Sequence, residues 1–507
     1  MLAALLLAGC AGGGRLPTAD VRLPVVYEAA SATTASLPAQ ALDRWWTLYD
    51  DPQLTTLVEE ALVASPTART ALARIDQARA TRAQTLAAYL PQGELTGLAQ
   101  TQHTDETFGN VGVVTGDGTG AGGGTTTDPT TGLPVGGGTT SSTSGAFLTP
   151  SGDLQTYAAQ FNVTYELDLF GRRLAAKRGA DADVAAQRFD YEAARATLAR
   201  DVATGLFQAR GAAIQLADAR ETYRIAQNLA RTAVLSAQAG LTATSDAARL
   251  ETDAATAQAE VARLTAVELA GRRSLLALIG RGAAPLSSLE VSASAAPPPP
   301  VPAETPGELL RRRPDVREAE ARLRSASSAL KLARLALFPT FSLAPGGQYS
   351  KTAGSYSSTT SIWTVGVNAT LPVLDRPRLL AAVRIERSLG VQAVVAYEQA
   401  VQNAYRDAEN GLVSLAADRT RTDRLQLAVD RARFAFDAKK RGYDLGLVDL
   451  TTLLDAERTW RTATSTLSGA RTTALVDSAT LFQALGGGWS PQAPLRLASA
   501  TAATSSR

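Results

Sequence analysis

Residues 191–206 read YEAARATLARDVATGL and residues 397–412 read YEQAVQNAYRDAENGL, so the chain carries one segment twice, 206 positions apart. The register then holds without a gap to Gly280 in the first copy and Gly486 in the second. A repeat of about 90 residues is longer than the units of solenoid proteins, which run from about 20 to 50 residues. The chain is therefore predicted to build two similar halves by internal duplication.

Each half is predicted to contain a very long helix followed by a shorter one. Proline, the strongest helix breaker, is absent from both duplicated regions, which are rich in Ala, Leu, Arg and Glu. Breaks at Gly240 and Gly446 divide each region. The predicted helices are Arg172–Gln238 with Asp246–Ile279, and Arg378–Asp444 with Thr452–Leu485. The first member of each pair would be about 100 Å long, far beyond an ordinary globular helix.

Two half-length helices are predicted before these hairpins, over 54–91 and 304–339. They match each other at an offset of 248 positions, which aligns Pro66 with Pro314. Two such helices end to end would equal one long helix. The proline-rich linker 281–303 is then expected to form a belt around the middle of the helical region.

Between the half-length helix and the hairpin of each half, the sequence pattern changes to a period of two. Apolar residues alternate with polar ones over 157–167 and 363–371, which is typical of a strand with one wet face. Aromatic residues on the apolar face favour a membrane β-barrel over 92–171 and 340–377; a half-buried soluble sheet is the alternative. The residues expected to line the barrel lumen are Gln160, Asn162, Thr164, Asn368 and Thr370.

A Gly/Thr-rich insertion explains the change of offset from 248 to 206. It adds 42 residues between the strands of the first half, within 105–152. Its composition cannot bury a core, so we expect an enlarged extracellular loop.

The composition of the chain argues against several classes of function. The chain has 50 basic and 48 acidic residues, which gives no indication of a basic surface for nucleic acid. It has no run of about 20 apolar residues that would form a spanning helix, which argues against an inner-membrane transporter. With one cysteine and one histidine, His103, in a polar stretch, we expect no enzyme, no cofactor and no metal site.

The single cysteine, Cys10, follows an apolar run that ends in Leu7-Ala8-Gly9. This arrangement resembles a bacterial lipobox, in which the leader is removed and the cysteine is acylated. We therefore expect a signal peptide over 1–9 and a lipidated N-terminal segment over 10–53. An ordinary signal-peptide cysteine is the alternative.

Four local motifs carry a resemblance to a known family. They are RWWTLYDDP at 44–52, YELDLFGR at 165–172, RRRPDV at 311–316 and LFPTFSL at 337–343. Together with the duplication, they resemble the TolC-like outer-membrane efflux factors, specifically the lipidated OprM/NodT-type branch. The resemblance covers about residues 40–490.

The resemblance implies an α+β membrane protein that forms a homotrimer. Each chain would give four strands to one twelve-stranded β-barrel, continuous with a long α-helical coiled-coil barrel in the periplasm. It also implies a passive outer-membrane exit duct for small molecules, working with a periplasmic adaptor and an inner-membrane pump of the RND type. The hairpins would span 172–280 and 378–486, followed by a tail over 487–507.

The resemblance further implies a periplasmic gate at the two hairpin turns, with Gly446 in the mobile turn and Gly240 in its counterpart. The gate candidates are Ser245 and Asp246 at latch positions, Tyr443 as the latch tyrosine, and Asp455 in an acidic constriction. Val448 replaces the family's latch arginine, and Thr452 replaces a second constriction aspartate. Asp444 and Asp449 are candidates to compensate.

Two other functions remain open on the sequence. One is an outer-membrane duct for type I protein secretion, against which the lipobox and the LDLFG junction argue. The other is a non-conducting structural lipoprotein of the envelope, which single-channel conductance would distinguish.

Overall fold

The computed structural model describes residues 16–24, 26–28, 39–104, 152–294, 296–301, 307–308, 312–354 and 357–489. Four parts of the sequence prediction lie outside the described residues: the leader 1–9, Cys10, the insertion up to residue 151 and the tail from residue 490. The chain divides into two compact units, one helical and one made of strands.

The helical unit begins with a 3-10 segment, Ala39–Tyr49. Its α-helices, in chain order, are α1 (Pro52–Ala64), α2 (Pro66–Ala87), α3 (Arg172–Gln238), α4 (Thr244–Leu278), α5 (Pro314–Leu335), α6 (Arg376–Asp444) and α7 (Leu450–Ala484). A 3-10 turn, Leu286–Ser288, lies in the linker after α4. Among the described residues, none of these helices is both long and apolar enough to cross a membrane.

The two long helices contain 67 and 69 residues, and α4 and α7 contain 35 residues each. The second long helix begins two residues earlier than the sequence pattern predicts, at Arg376, and includes Pro377 in its first turn. A proline is tolerated there because the first backbone N–H groups of a helix have no intrahelical acceptor.

The prediction of two continuous half-length helices is wrong. The helix predicted over 54–91 is interrupted at Ser65, which is extended with φ −60° and ψ 134°. The one predicted over 304–339 is interrupted at Arg313, which is extended with φ −71° and ψ 120°; residues 307, 308 and 312 before it are helical, and α5 begins at Pro314. In both places the ring of the following proline disfavours helical geometry in the residue before it. The equivalent elements of the two halves are therefore the 22-residue helices α2 and α5.

The core of the helical unit forms around the RWWTLYDDP motif. Trp45 is fully buried and stacks on Phe482 of α7, with ring centroids 5.6 Å apart. The Tyr49 hydroxyl lies 2.5 Å from the Ser478 hydroxyl, and burial raises the Tyr49 pKa. The motif thus joins the N-terminal segment to the second hairpin.

The end of the same motif and the RRRPDV motif also form joints between helices. The Asp51 carboxylate caps α1 through the Leu54 N–H at 3.1 Å and forms an ion pair with Arg210 of α3. Burial opposes the ionisation of Asp51, but these partners outweigh it and lower the Asp51 pKa. In the RRRPDV motif, Arg313 donates to Asp315 at 2.6 Å and to the Ala484 carbonyl at 3.2 Å.

The strand unit is one antiparallel sheet in the order β1-β2-β3-β4. Its strands are β1 (Gln92–Thr104), β2 (Gly152–Leu167), β3 (Thr340–Ala353) and β4 (Ser358–Thr370). Residues that are directly opposite in an antiparallel sheet share a face. The register pairs Gln160 with both Thr96 and Gln348, and Asn368 with Ser342. All five lumen candidates therefore lie on one face of the sheet.

The opposite face of the sheet is apolar and exposed. Phe161 is paired with Leu95 on one side and with Gly347 on the other, and Gly347 in turn is paired with Trp363. Trp363 is 84 % exposed and Val365 is 79 % exposed. Contiguous apolar surface of this kind marks contact with lipid or with another chain.

Two carboxyl groups meet between α6 and α7. Asp418 of α6 is 8 % exposed. Burial and a hydrogen bond with Asp477 of α7 raise the Asp418 pKa to about 6, against the weaker opposing effect of Arg421. Because the folded protein holds this proton more tightly than the unfolded chain, stability should fall as pH rises from about 4 to about 6.

We predict that Asp418→Asn removes this loss of stability at higher pH and stabilises the protein at pH 7.5 by on the order of 1–3 kcal/mol. The apparent midpoint of thermal unfolding, measured by tryptophan fluorescence between pH 4 and 8, checks this. Asp423→Asn, at an exposed carboxylate on the same helix, is the control. An Asp418→Asn midpoint that follows the control at every pH contradicts the prediction.

Candidate functional site at the helical turns

The two hairpin turns share one backbone design. At the end of α6, the Gly446 N–H donates to the Tyr443 carbonyl at 2.9 Å and the Leu447 N–H donates to the Gly442 carbonyl at 2.8 Å. The same two hydrogen bonds, at 3.0 and 2.9 Å, close the turn after α3. This Schellman pattern requires a residue with positive φ after the helix, and Gly446 (71°) and Gly240 (75°) supply it.

A cavity of about 210 Å³ lies between the two turns. Asp246 and Tyr443, two of the predicted gate residues, both line it, together with Arg249. The other lining residues, from α3, the first turn, α4 and α7, are Leu229, Thr232, Ala233, Ser236, Thr242, Leu250, Leu450, Thr451 and Leu454. The structure therefore brings the candidate latch tyrosine of one repeat to the same cavity as the candidate latch aspartate of the other.

Two acidic candidates lie at helix starts. Asp246 is in the first turn of α4, where the helix dipole favours a negative charge. Asp449 precedes α7, and its carboxylate accepts a hydrogen bond from the Thr452 hydroxyl at 2.5 Å. That hydrogen bond lowers the Asp449 pKa. Thr452, which replaces an acidic family residue, thus holds a carboxylate from its own turn.

The remaining candidates lie outside the cavity lining. Ser245, Asp444 and Asp455 are exposed on the same turns and helices. The backbone carbonyl of Asp455 accepts the Thr459 hydroxyl at 2.8 Å.

Val448, at the position for which the resemblance implies a latch arginine, packs against the end of α6. A Cβ at Gly442 would lie 2.7 Å from the Val448 Cγ2. The valine therefore fills space inside its own turn and supplies no cation.

Sequence reasoning missed two arginines near the turns. Arg249 lines the cavity, and Arg458 of α7 lies 4.0 Å from Asp253 of α4. The duplication contains the signal for the first, because the 206-position register aligns Arg249 with Asp455. The two repeats thus carry opposite charges at one equivalent position.

Comparison with known proteins agrees with this architecture. Residues 57–281 and 305–487 match the family described as outer membrane efflux protein. The chain is 28 % identical over 487 residues to the pyoverdine export outer membrane protein OpmQ of Pseudomonas putida, covering 95 % of each chain. It is 26 % identical over 464 residues to the cation efflux system protein CusC of Escherichia coli, covering 88 % of each.

Solved structures show the same fold. The outer-membrane channel OprN aligns with a TM-score of 0.72 and 26 % identity, over 93 % of this chain and 99 % of that one. The Neisseria gonorrhoeae MtrE channel, solved in its open state, aligns with a TM-score of 0.72 and 22 % identity, over 94 % and 98 %.

The fold and its polar turns thus define an outer-membrane channel component. This chain belongs to the outer membrane efflux protein family, because the family match covers most of its length. The resemblance inferred from the four motifs is confirmed at the level of family, of fold and of efflux function at the outer membrane.

We predict that Gly446→Ala loosens the second turn, because a side chain at positive φ costs about 1–2 kcal/mol. Hydrogen exchange should accelerate over residues 443–450 and stay unchanged over 237–244. Gly469→Ala, within α7 where a Cβ would meet nothing within 4 Å, is the matched control and should not accelerate exchange. Equal exchange in both variants would mean that the backbone of the turn does not depend on Gly446.

Proposed function

We propose that three copies of this chain assemble one exit duct, through which a pump expels small molecules across the outer membrane. The observation that carries the proposal is the two-faced sheet. Its strand order leaves β1 and β4 at the edges, and its apolar face exposes Trp363, Val365 and Val367. A sheet in lipid must close so that every backbone polar group is paired, and four strands are too few to enclose an aqueous lumen.

Three copies would give twelve strands and remove every edge. The face that carries Gln160, Asn162 and Asn368 would then line the lumen, and the aromatic face would contact lipid. The same face carries Glu94 and Glu166, and polar side chains of this kind suit a duct because they hydrate a solute.

The gate of this duct is proposed at the hairpin turns. In a three-fold assembly, each acidic side chain near the tip repeats as a ring of three like charges. Such a ring in a narrow aqueous constriction favours cations. The cavity that joins Asp246, Arg249 and Tyr443 supports a latch between the two repeats of one chain, with Ser245, Asp444 and Asp449 as additional candidates.

Opening is proposed to come from a periplasmic adaptor that binds the tip and shifts the second hairpin, with Gly446 in the moving turn. An inner-membrane pump of the RND type would supply the energy. Relatives are named for pyoverdine export, toluene efflux and cation efflux, and the proposal for this chain names small molecules as the exported class.

We predict that Tyr443→Phe combined with Asp246→Ala raises the single-channel conductance of the purified protein in planar bilayers, because both polar groups that the two repeats bring to the cavity at the tip are removed. We also predict that Asp455→Asn lowers the preference for cations, measured as the reversal potential in a salt gradient. Asp423→Asn serves as the control for charge alone.

Conductance equal to the wild type in the double variant, together with an unchanged reversal potential in Asp455→Asn, would place the gate elsewhere. A wild-type protein that inserts without conducting would instead support the structural-lipoprotein alternative.

We further propose that Cys10 is the acylated N-terminus. The residues that follow it run along α6: the Asp20 N–H donates to the Glu398 carboxylate at 3.1 Å, and Tyr27 stacks on Tyr405 at 5.8 Å. Toward Leu16, the segment approaches the start of α6, where Leu16 covers Gly390. The described part of the N-terminal segment therefore runs toward the end of α6 that follows β4 in the chain.

We predict that the mature protein begins at Cys10 and carries covalently attached acyl chains. Each buried CH₂ group of such a chain adds about 0.8 kcal/mol of membrane affinity. Intact-mass spectrometry of protein purified from outer membranes checks this, with Cys10→Ser as the control that loses the acyl mass. A mature chain with a free Cys10 thiol would contradict it.

A further inference from the structure

A partly buried arginine joins the two repeats well away from the turns. Arg461 lies on α7 of the second repeat, and its side chain is 16 % exposed. Its Nε donates to Glu457 Oε1 at 2.9 Å, one turn earlier on the same helix. Its Nη1 donates to the Thr222 hydroxyl of α3, in the first repeat, at 3.0 Å. One guanidinium therefore contacts both hairpins.

Removing the Arg461 guanidinium would destabilise the groups around it. The Glu457 side chain is 11 % exposed, and the Trp460 ring lies 5.3 Å from the Arg461 guanidinium. A buried ion pair adds little net stability, but removing one partner leaves a buried charge without compensation. Arg461 is thus fixed in position by its own helix before it reaches across to α3.

The side of α3 that faces Arg461 also carries Asp218. Burial raises the Asp218 pKa, and Arg461 partly offsets that effect. Asp218 Oδ2 and Arg461 Nη2 are both buried, and neither has a hydrogen-bond partner in the described part of the chain. The two groups attract each other across the contact without closing an ion pair, so a small shift of α7 along α3 would change their interaction.

The other repeat has no such arginine. The 206-position register aligns Arg461 with Ala255 and Trp460 with Ala254, whereas Glu457 is aligned with Glu251, which is exposed. The contact is therefore specific to α7 against α3 and is not a general feature of the repeated fold.

We propose that Arg461 is a positioning residue that holds the second hairpin against the first and so sets the resting bore of the duct. The inference rests on the proposed function. Arg461 lies 11 residues into α7, about 16 Å along the helix from its first residue, and forms a second point of attachment above the latch at the turns. An opening that shifts the second hairpin must break or slide this contact.

The test is single-channel conductance of the full-length purified protein in planar bilayers. Arg461→Met keeps the aliphatic stem and removes the guanidinium, and we expect conductance at rest to rise several-fold. Arg461→Lys should lie in between, because one ammonium group lacks the planar fork that reaches two partners. Arg471→Met is the matched control, since Arg471 is on the same helix but donates to Gln426 within its own hairpin, at 2.7 Å.

A second variant separates positioning from simple destabilisation. Arg461→Met alone leaves Glu457 buried and unpaired, whereas Arg461→Met with Glu457→Gln removes that charge and should recover thermal stability. Conductance should stay high in the double variant, because the hydrogen bond to Thr222 is still missing. Thr222→Val, which leaves the ion pair intact, should also raise conductance and covers the case in which Arg461→Met fails to assemble.

The inference is overturned if the variants conduct like Arg471→Met, or if conductance returns to the wild-type value when the double variant regains stability. Either result leaves the proposed function intact, provided that the wild-type protein conducts. A wild-type protein that does not conduct would remove the proposed function itself.

Discussion

The edges of the four-stranded sheet constrain everything else in this molecule. One chain pairs its strands in sequence order and leaves β1 and β4 with a neighbour on one side only. In water, such an edge would invite aggregation, and in lipid it would leave backbone groups unpaired at a cost of several kcal/mol each. The apolar face with Phe161 and Trp363 must likewise be covered, by lipid or by another chain. Assembly of several copies satisfies both, and the duplicated helices then have a defined number of neighbours.

Duplication supplied two copies of one hairpin, and divergence made them different. Both turns use the same hydrogen bonds around Gly240 and Gly446, so their backbone is shared. Their charges are not, because Arg249 is aligned with Asp455. Arg461 of α7 likewise has an alanine, Ala255, as its counterpart. The proposed gate needs an asymmetric contact that one repeat can release while the other keeps its shape, and these differences between the repeats are consistent with one.

The sequence predicted the helical hairpins well because proline and glycine mark their ends directly. It predicted the half-length helices badly, because Pro66 and Pro314 were treated as residues inside a helix. Each in fact begins a helix, and its ring keeps the preceding residue out of helical geometry. The face of the lumen candidates followed from a two-residue period, but the pairing of Gln160 with Gln348 depends on how the two halves align and could not be read from either. Arg249 and Arg461 were missed because Arg249 lines a cavity formed by both repeats and Arg461 contacts α3 of the other repeat, and proximity between distant helices leaves no local pattern.

The central claim is that copies of this chain close into one barrel, and the number of copies tests it most directly. Electron cryo-microscopy of the full-length protein, purified from outer membranes in mild detergent, should show three chains that share twelve strands around one lumen, with β4 of each chain paired with β1 of the next. A single chain with an open four-stranded sheet, or an assembly in which β1 and β4 stay unpaired, would contradict the account.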